Sequence, residues 1–311
     1  MKMDGHTHTQ LCAHGSGEKT ERMIEKAIRL GFTDYCITEH APLPVGFEAS
    51  YEGPREGYET ASLGFDQLEE YFEHAEWLKE RFKGKINVHI GFETDYLPGF
   101  ETEIKKFLDE YGPRCDTGIL SVHFIQNSEN KFHCIDFSPE DLAAGVKELL
   151  DDPQEIYHQY LMLVKDSIEA DLGEYAPKRI GHMSLIKKYQ DYFSFPEKFD
   201  ERNMLLIEEI LREIRQTKRQ LDFNLAGMYK PYCNEFYPGI QVFSLAKNQG
   251  IHRRHGNNLF VQGKSESLGR CRADPESRKR SRSCGHCNHI NRIQIKFYHF
   301  CYFIQHWKKC L

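Results

Sequence analysis

"INVHIGFETDY", residues 86–96, is an apolar run that ends in two carboxylates. A solitary charge at the end of a buried strand is costly unless it is paired or bound to a metal, so Glu93 needs partners. Candidates stand at the matching place in other strand-like runs. "MKMDGHTH" carries His6 and His8, "FTDYCITEH" ends at His40, "CDTGILSVHF" holds His123 and "RIGHMSLI" holds His182. These runs, with "LDFNLAG", alternate with helical patterns at 18–30, 66–82, 101–111, 153–172, 200–219 and 238–249. Such alternation predicts an α/β fold of parallel strands with helices outside, as an open sheet or a closed barrel. The ligand-type residues favour the barrel, whose C-terminal strand ends converge on one axis. An open sheet would spread them out.

His6 and His8 are two apart, so on a strand both point to one face and can hold one ion. His14 follows six residues later in a Gly-containing loop, from which it could return to a neighbouring ion. Glu93 has two oxygens and can bridge two cations. Asp95 shares its face and could orient a ligand, although a turn or helix-start role is the commoner one for such a residue. Taken singly, a His-x-His pair is more often incidental, and His123 or His182 would pass for a hydrogen-bonded core histidine. Six histidines and a glutamate at corresponding ends of five successive strands are not independent accidents. Imidazole and carboxylate without thiolate suit Zn, Mn or Fe(II). The Gly- and Pro-rich segment 41–65 is longer than a simple connection and reads as a loop covering the site.

The 311 residues suffice for one large α/β domain or two ordinary ones, and 40% hydrophobic residues can fill a sizeable core. The first ten residues are polar, and no run approaches the roughly 20 apolar residues of a membrane span. These features predict a cytoplasmic protein without a membrane partner. Most of the ten cysteines read as reduced thiols, Cys36 and Cys115 as core residues. The net charge of −6 conceals a break: residues 252–311 hold 13 Lys and Arg against 3 Asp and Glu, a net +10, which leaves −16 for the rest. Half of the cysteines also lie there. Residues 1–250 and 251–311 are therefore treated as separate segments.

Six stretches carry a family resemblance: "GHTHTQLCAHG" (5–15), "FTDYCITEHAPLP" (32–44), "VHIGFETDYLPG" (88–99), "LSVHF" (120–124), "RIGHMSLIKKY" (179–189) and "KPYCNEFYP" (230–238). In their order and spacing the chain resembles the polymerase and histidinol phosphatase (PHP) family, in its bacterial histidinol-phosphatase branch. The resemblance implies a distorted (β/α)7 TIM-like barrel with two to three divalent metal ions, Zn, Mn or Fe, at the C-terminal strand ends. By position, His6, His8 and Glu93 would hold the first. Glu93 would bridge to a second held by His123 and His182, and His14 with His40 would hold a third. The implied activity is that of a metal-dependent phosphomonoesterase cleaving the small-molecule ester L-histidinol phosphate in histidine biosynthesis, with Glu93 and His123 in catalytic roles. A water-derived nucleophile would need no seryl or cysteinyl intermediate. Lys230 is a candidate phosphate contact, and Phe47 and Tyr51 are candidates to cover the imidazole and amino end.

The resemblance breaks near residue 250. Family members of this type close their site with a strand and a Gly-Ser-Asp-x-His-like segment, supplying one ligand to the first metal and one to the third. Here "HRRHGNN" has neither an apolar run nor alternation, and Asp274, the only aspartate beyond 250, begins no Asp-x-His. The expected barrel therefore lacks its last strand and two ligands, and its activity is expected to be impaired. Residues 251–311 read as a basic, Cys-rich tail, disordered or derived from a frameshift near codon 251. "CGHCNH", with Cys284, Cys287 and His289, lacks the second pair of a zinc finger. "RKRSRS" reads as a solvated run, so nucleic acid is not an expected partner, and neither His252 nor His255 is expected to replace a lost ligand. Alternative readings are a PHP phosphoesterase acting on another ester or a nucleic-acid end, and an inactive metal-binding remnant. Oligomeric state is left open.

Overall fold

The structure is a computed structural model that describes residues 2–249 and 259–261. In chain order its elements are β1 (Met3–Thr7), α1 (Thr20–Arg29), β2 (Asp34–His40), α2 (Arg55–Glu59), α3 (Leu68–Arg81), β3 (Asn87–Asp95) and α4 (Glu101–Tyr111). There follow β4 (Thr117–Ser121), β5 (Phe124–Gln126), β6 (Phe132–Cys134), α5 (Pro139–Gly145), α6 (Pro153–Glu169), β7 (Arg179–Ile180), α7 (Glu201–Gln216), β8 (Gln220–Phe223), α8 (Gly239–Asn248) and β9 (Leu259–Val261). Seven strands form one parallel sheet in the order β1-β2-β3-β4-β7-β8-β9, while β5 and β6 make a separate antiparallel pair.

Local chemistry explains the helices. Met23, Ile24 and Ala27 give α1 its buried stripe, and its last turn carries Lys26 and Arg29, the sign that suits a helix C-terminus. Ser138, Asp152 and Asp200 cap α5, α6 and α7 by accepting from a backbone N–H three residues on. All seven residues of β2 are buried, as a parallel strand covered on both faces requires. Only glycine fits at position 91: a Cβ there would lie 1.9 Å from the Thr117 carbonyl oxygen of β4.

Register then sets the site. β2 and β3 align His40 with Glu93, and β3 and β4 align Asp95 with Ser121. The pairing of β1 with β2 shifts between Asp4 and Thr7, an irregularity of the kind that re-aims side chains, and His6 lies within it.

The sheet corrects one expectation. "HRRHGNN" predicts no strand after β8, yet Leu259–Val261 runs parallel to β8, pairing Leu221 with Leu259, Asp222 with Phe260 and Phe223 with Val261. Its Cα atoms also come within 8 Å of β1. The apolar triplet just beyond the polar stretch is enough for a short edge strand. Other expectations for 251–311 lie outside the described residues: a disordered or frameshifted tail, a lost Asp-x-His, "CGHCNH", "RKRSRS", and His252 or His255 as substitutes. Of the two cysteines expected in the core, Cys36 is buried and Cys115 is partly buried against it. Among the described residues no helix is long and apolar enough to cross a membrane.

Candidate metal centre

Glu93 stands at the middle of the strand ends, 1% exposed. Its Oε2 is 2.7 Å from His6 Nε2, 3.4 Å from His8 Nε2 and 3.6 Å from His40 Nδ1. Its Oε1 accepts from Ser121 Oγ at 2.6 Å and from His182 Nε2 at 2.9 Å, and lies 3.5 Å from His123 Nε2. Each oxygen of one carboxylate thus meets its own set of imidazoles. Burial opposes ionisation of Glu93, but His6, His123 and His40 hold its carboxyl well below the usual range.

Two further carboxylates fix the rings from behind. His6 Nδ1 donates to Asp222 Oδ2 at 2.8 Å, and His123 Nδ1 donates to Asp95 Oδ1 at 2.8 Å. Burial works against a charge on either ring. The paired carboxylates outweigh it, Glu93 and Asp222 raising His6 to about 9 and Asp95 and Glu93 raising His123 to about 10. His40 and His182 go the other way, pushed down by burial and by like-charged neighbours, His8 and His123 respectively. A hydrogen bond from Nδ1 to a carboxylate leaves Nε2 aimed into the centre, which is how ligating histidines are commonly oriented.

The structure brings together all seven residues singled out as ligands. His6, His8 and Glu93 present ligand atoms within 4.8 Å of one another, as do Glu93, His123 and His182. His14 Nδ1 donates to the Thr60 carbonyl at 2.9 Å, leaving its Nε2 3.1 Å from His40 Nε2. Lys230 is half-buried in the turn after Ala226–Tyr229, its amide donating to Gly227 O at 3.2 Å. Lys188 is tied to the histidines through a shared carboxylate. Lys188 Nζ donates to Asp136 Oδ2 at 2.9 Å; burial opposes ionisation of Asp136, but Lys188, His123 and His14 hold it well below the usual range. Phe47 is fully buried against Phe100, Phe124 and Phe132, and Tyr51 donates to Asp141, so both brace the 41–65 loop from inside.

Sequence reasoning missed Asp222, Ser121 and Lys188, and gave Asp95 the lesser of its two roles. An isolated Asp in "LDFNLAG" carries no local mark of a partner 216 residues away. Asp95 had such a mark, its two-residue spacing from Glu93.

The model of the PHP domain matches residues 4–225, most of the chain. The chain belongs to the PHP family. Its similarity extends to the histidinol-phosphatase of Bacillus subtilis (strain 168), 34% identical over 266 residues, which span 85% of this chain and 95% of that protein. The crystal structure of the hisK protein of Listeria monocytogenes, 38% identical, superimposes with a TM-score of 0.81 over 87% of this chain and 98% of that one. The histidinol phosphate phosphatase of Lactococcus lactis, solved with zinc, L-histidinol and phosphate, is 22% identical. It shares the PHP fold at a TM-score of 0.56 over 85% of this chain and 88% of that one. These likenesses and the curled parallel sheet make the fold a distorted TIM-like barrel.

Proposed function

We propose that this chain is a metal-dependent phosphomonoesterase that hydrolyses L-histidinol phosphate to L-histidinol and inorganic phosphate, in the cytoplasm. The observation that carries the reading is Glu93, a buried carboxylate shared between two separate sets of histidines. The donor chemistry fits divalent cations. His8 Nδ1, His40 Nδ1 and His182 Nδ1 are buried nitrogens that make no hydrogen bond, an arrangement that costs stability unless a ligand compensates it. His6, His8 and Glu93 would hold one ion, Glu93, His123 and His182 a second, and His14 with His40 a third. Bound there, divalent cations supply Lewis-acid stabilisation of phosphoryl charge and an activated water.

The chain's own residues do the rest. Asp222 and Asp95 keep His6 and His123 in the tautomer that faces inward, and Ser121 orients Glu93. Lys188, whose partner Asp136 interacts with His123 and His14, is one candidate cation to meet a phosphate oxygen. Lys230 is the second candidate for that contact. Naming the substrate draws further support from the Bacillus subtilis relative and from the Lactococcus lactis complex. The deciding experiment is phosphate release from L-histidinol phosphate by the purified chain with Mn²⁺ or Zn²⁺. Turnover that Glu93→Gln abolishes is expected. A folded, metal-loaded chain that stays inert toward this ester even with a family-type Asp-x-His ending restored, or that prefers a 3′-terminal nucleotide, would overturn it.

We also infer that residues 251–311 arose by a frameshift near codon 251, the triplet that pairs as β9 included. The break in charge and composition near residue 250 supports this. A one- or two-base insertion or deletion in the DNA, with an Asp-x-His ending in another frame, is expected. An uninterrupted frame without one would refute the inference.

A further inference from the structure

We propose that a cavity on the outer side of β3, between α4 and residues 41–45, is a second ligand site, built for a small organic ammonium compound whose aromatic ring carries a hydroxyl or N–H group. The proposal stands apart from the phosphatase reading above. The cavity holds about 370 Å³. Since a cavity of roughly 150 Å³ takes up a benzene ring, it has room for a ring and a short chain. None of the seven residues brought together at the metal centre lines it, and Asp95, at the end of β3, belongs to both places.

One wall is "APLPV", residues 41–45, in which two prolines fix φ and carry no N–H that would need a partner. The donors that remain tie it down: Ala41 N donates to Glu93 O at 2.9 Å and Leu43 N to Ser62 Oγ at 3.3 Å. The opposite wall is α4, through Ile104, Phe107 and Tyr111. Phe65 completes it, with its ring 6.4 Å from that of Phe107, which lies 5.0 Å from that of Tyr111. Phe65 is 47% exposed, so the cavity leaves aromatic surface in water for a ligand to cover.

Two polar features point to the ligand's chemistry. Thr94 lines the cavity, is 3% exposed, and its buried Oγ1 makes no hydrogen bond. Phe92, two residues earlier and so on the same face of β3, packs its ring 5.2 Å from that of Phe107, which places the Thr94 side chain on the α4 side, away from the metals. A buried hydroxyl without a partner is costly, and a hydroxyl or N–H on a ligand ring would relieve it. The second feature is charge. Glu103, Lys106 and Glu110 of α4 line the cavity; Glu103 is half-buried and among the described residues makes no ion pair, whereas Lys106 and Glu110 are exposed. A charge partly removed from water outweighs solvated ones, so the site favours a cation. The aromatic rings add their attraction for an ammonium group.

The test is calorimetric titration of the full chain with tyramine, and with phloretate, which has the same ring and chain but ends in a carboxylate. Tyramine should bind to one site per chain, and phloretate at least about 10-fold more weakly. Glu103→Gln should weaken tyramine by about 10-fold and Thr94→Val by about 3-fold, because a hydrogen bond to a charged group is worth more than a neutral one. Binding should survive Glu93→Gln, which disables the metal centre and touches no wall of the cavity. Absence of tyramine binding overturns the proposal, as does equal affinity for phloretate or full affinity in Glu103→Gln or Thr94→Val. Binding that Glu93→Gln abolishes places tyramine at the metals and overturns it too. If Thr94→Val does not fold, phenethylamine, which lacks the hydroxyl, decides on wild type: about 3-fold weaker binding than tyramine supports the assignment, and equal binding refutes it.

Discussion

At the scale of the residue, the centre depends on carboxylates that need touch no ion. Asp222 accepts from His6 Nδ1 and thereby commits Nε2 to the interior. Asparagine at 222 can present its amide N–H instead, which tolerates the opposite tautomer of His6. Asp222→Asn should therefore lower metal affinity and kcat/KM for L-histidinol phosphate by about 10–100-fold without unfolding the chain. Isothermal titration with Zn²⁺ alongside steady-state kinetics checks this. An unchanged affinity would show that packing alone orients His6.

At the scale of the element, one histidine outside the centre holds three elements together. His133 on β6 donates from Nδ1 to Asp141 of α5 at 2.9 Å, and its Nε2 lies 3.5 Å from Glu52 in the 41–65 loop. The bond to Asp141, opposed by burial and helped by Glu52, raises its pKa. The folded state thus holds this proton more tightly than the unfolded chain does. The stabilisation is complete below the unfolded pKa, about 6.5, and is lost as pH rises through the folded value. His133→Gln should cost more stability at pH 6 than at pH 9, as read from urea midpoints; equal costs would mean that the ring contributes packing only. Neither this clasp nor β5 and β6 is legible in "CDTGILSVHF", because a single apolar run gives no sign that the chain breaks between Ser121 and Phe124 to form a hairpin. "RIGHMSLI" misleads likewise: only Arg179–Ile180 pairs as strand, and His182 lies just past it. The long helices were legible, since the spacing of their apolar residues and their caps are local. The reading of 101–111 matches α4 in full.

At the scale of the whole molecule, the centre pins together strands that pack as neighbours only in the folded state. Ions bound there should stabilise the native state by RT ln(1 + [L]/Kd), about 2.7 kcal/mol at a hundredfold excess over Kd. For a chain of this size that corresponds to a rise in Tm of roughly 4 °C. Scanning calorimetry of the chelator-treated protein with and without Zn²⁺ checks it, and Glu93→Gln should show little of the rise. The barrel class was legible from where ligand-type residues end their strands, and so were the seven residues that meet. Their supporting carboxylate was not, because nothing local to "LDFNLAG" names His6 as its partner. That separation also bears on how the protein is made. His6 leaves the ribosome roughly 10–40 s before Asp222 at ordinary elongation rates, and β9 emerges later still. For that interval the nascent chain carries an open sheet whose first strand has no far neighbour, so the metal chamber is among the last features of the protein to be completed.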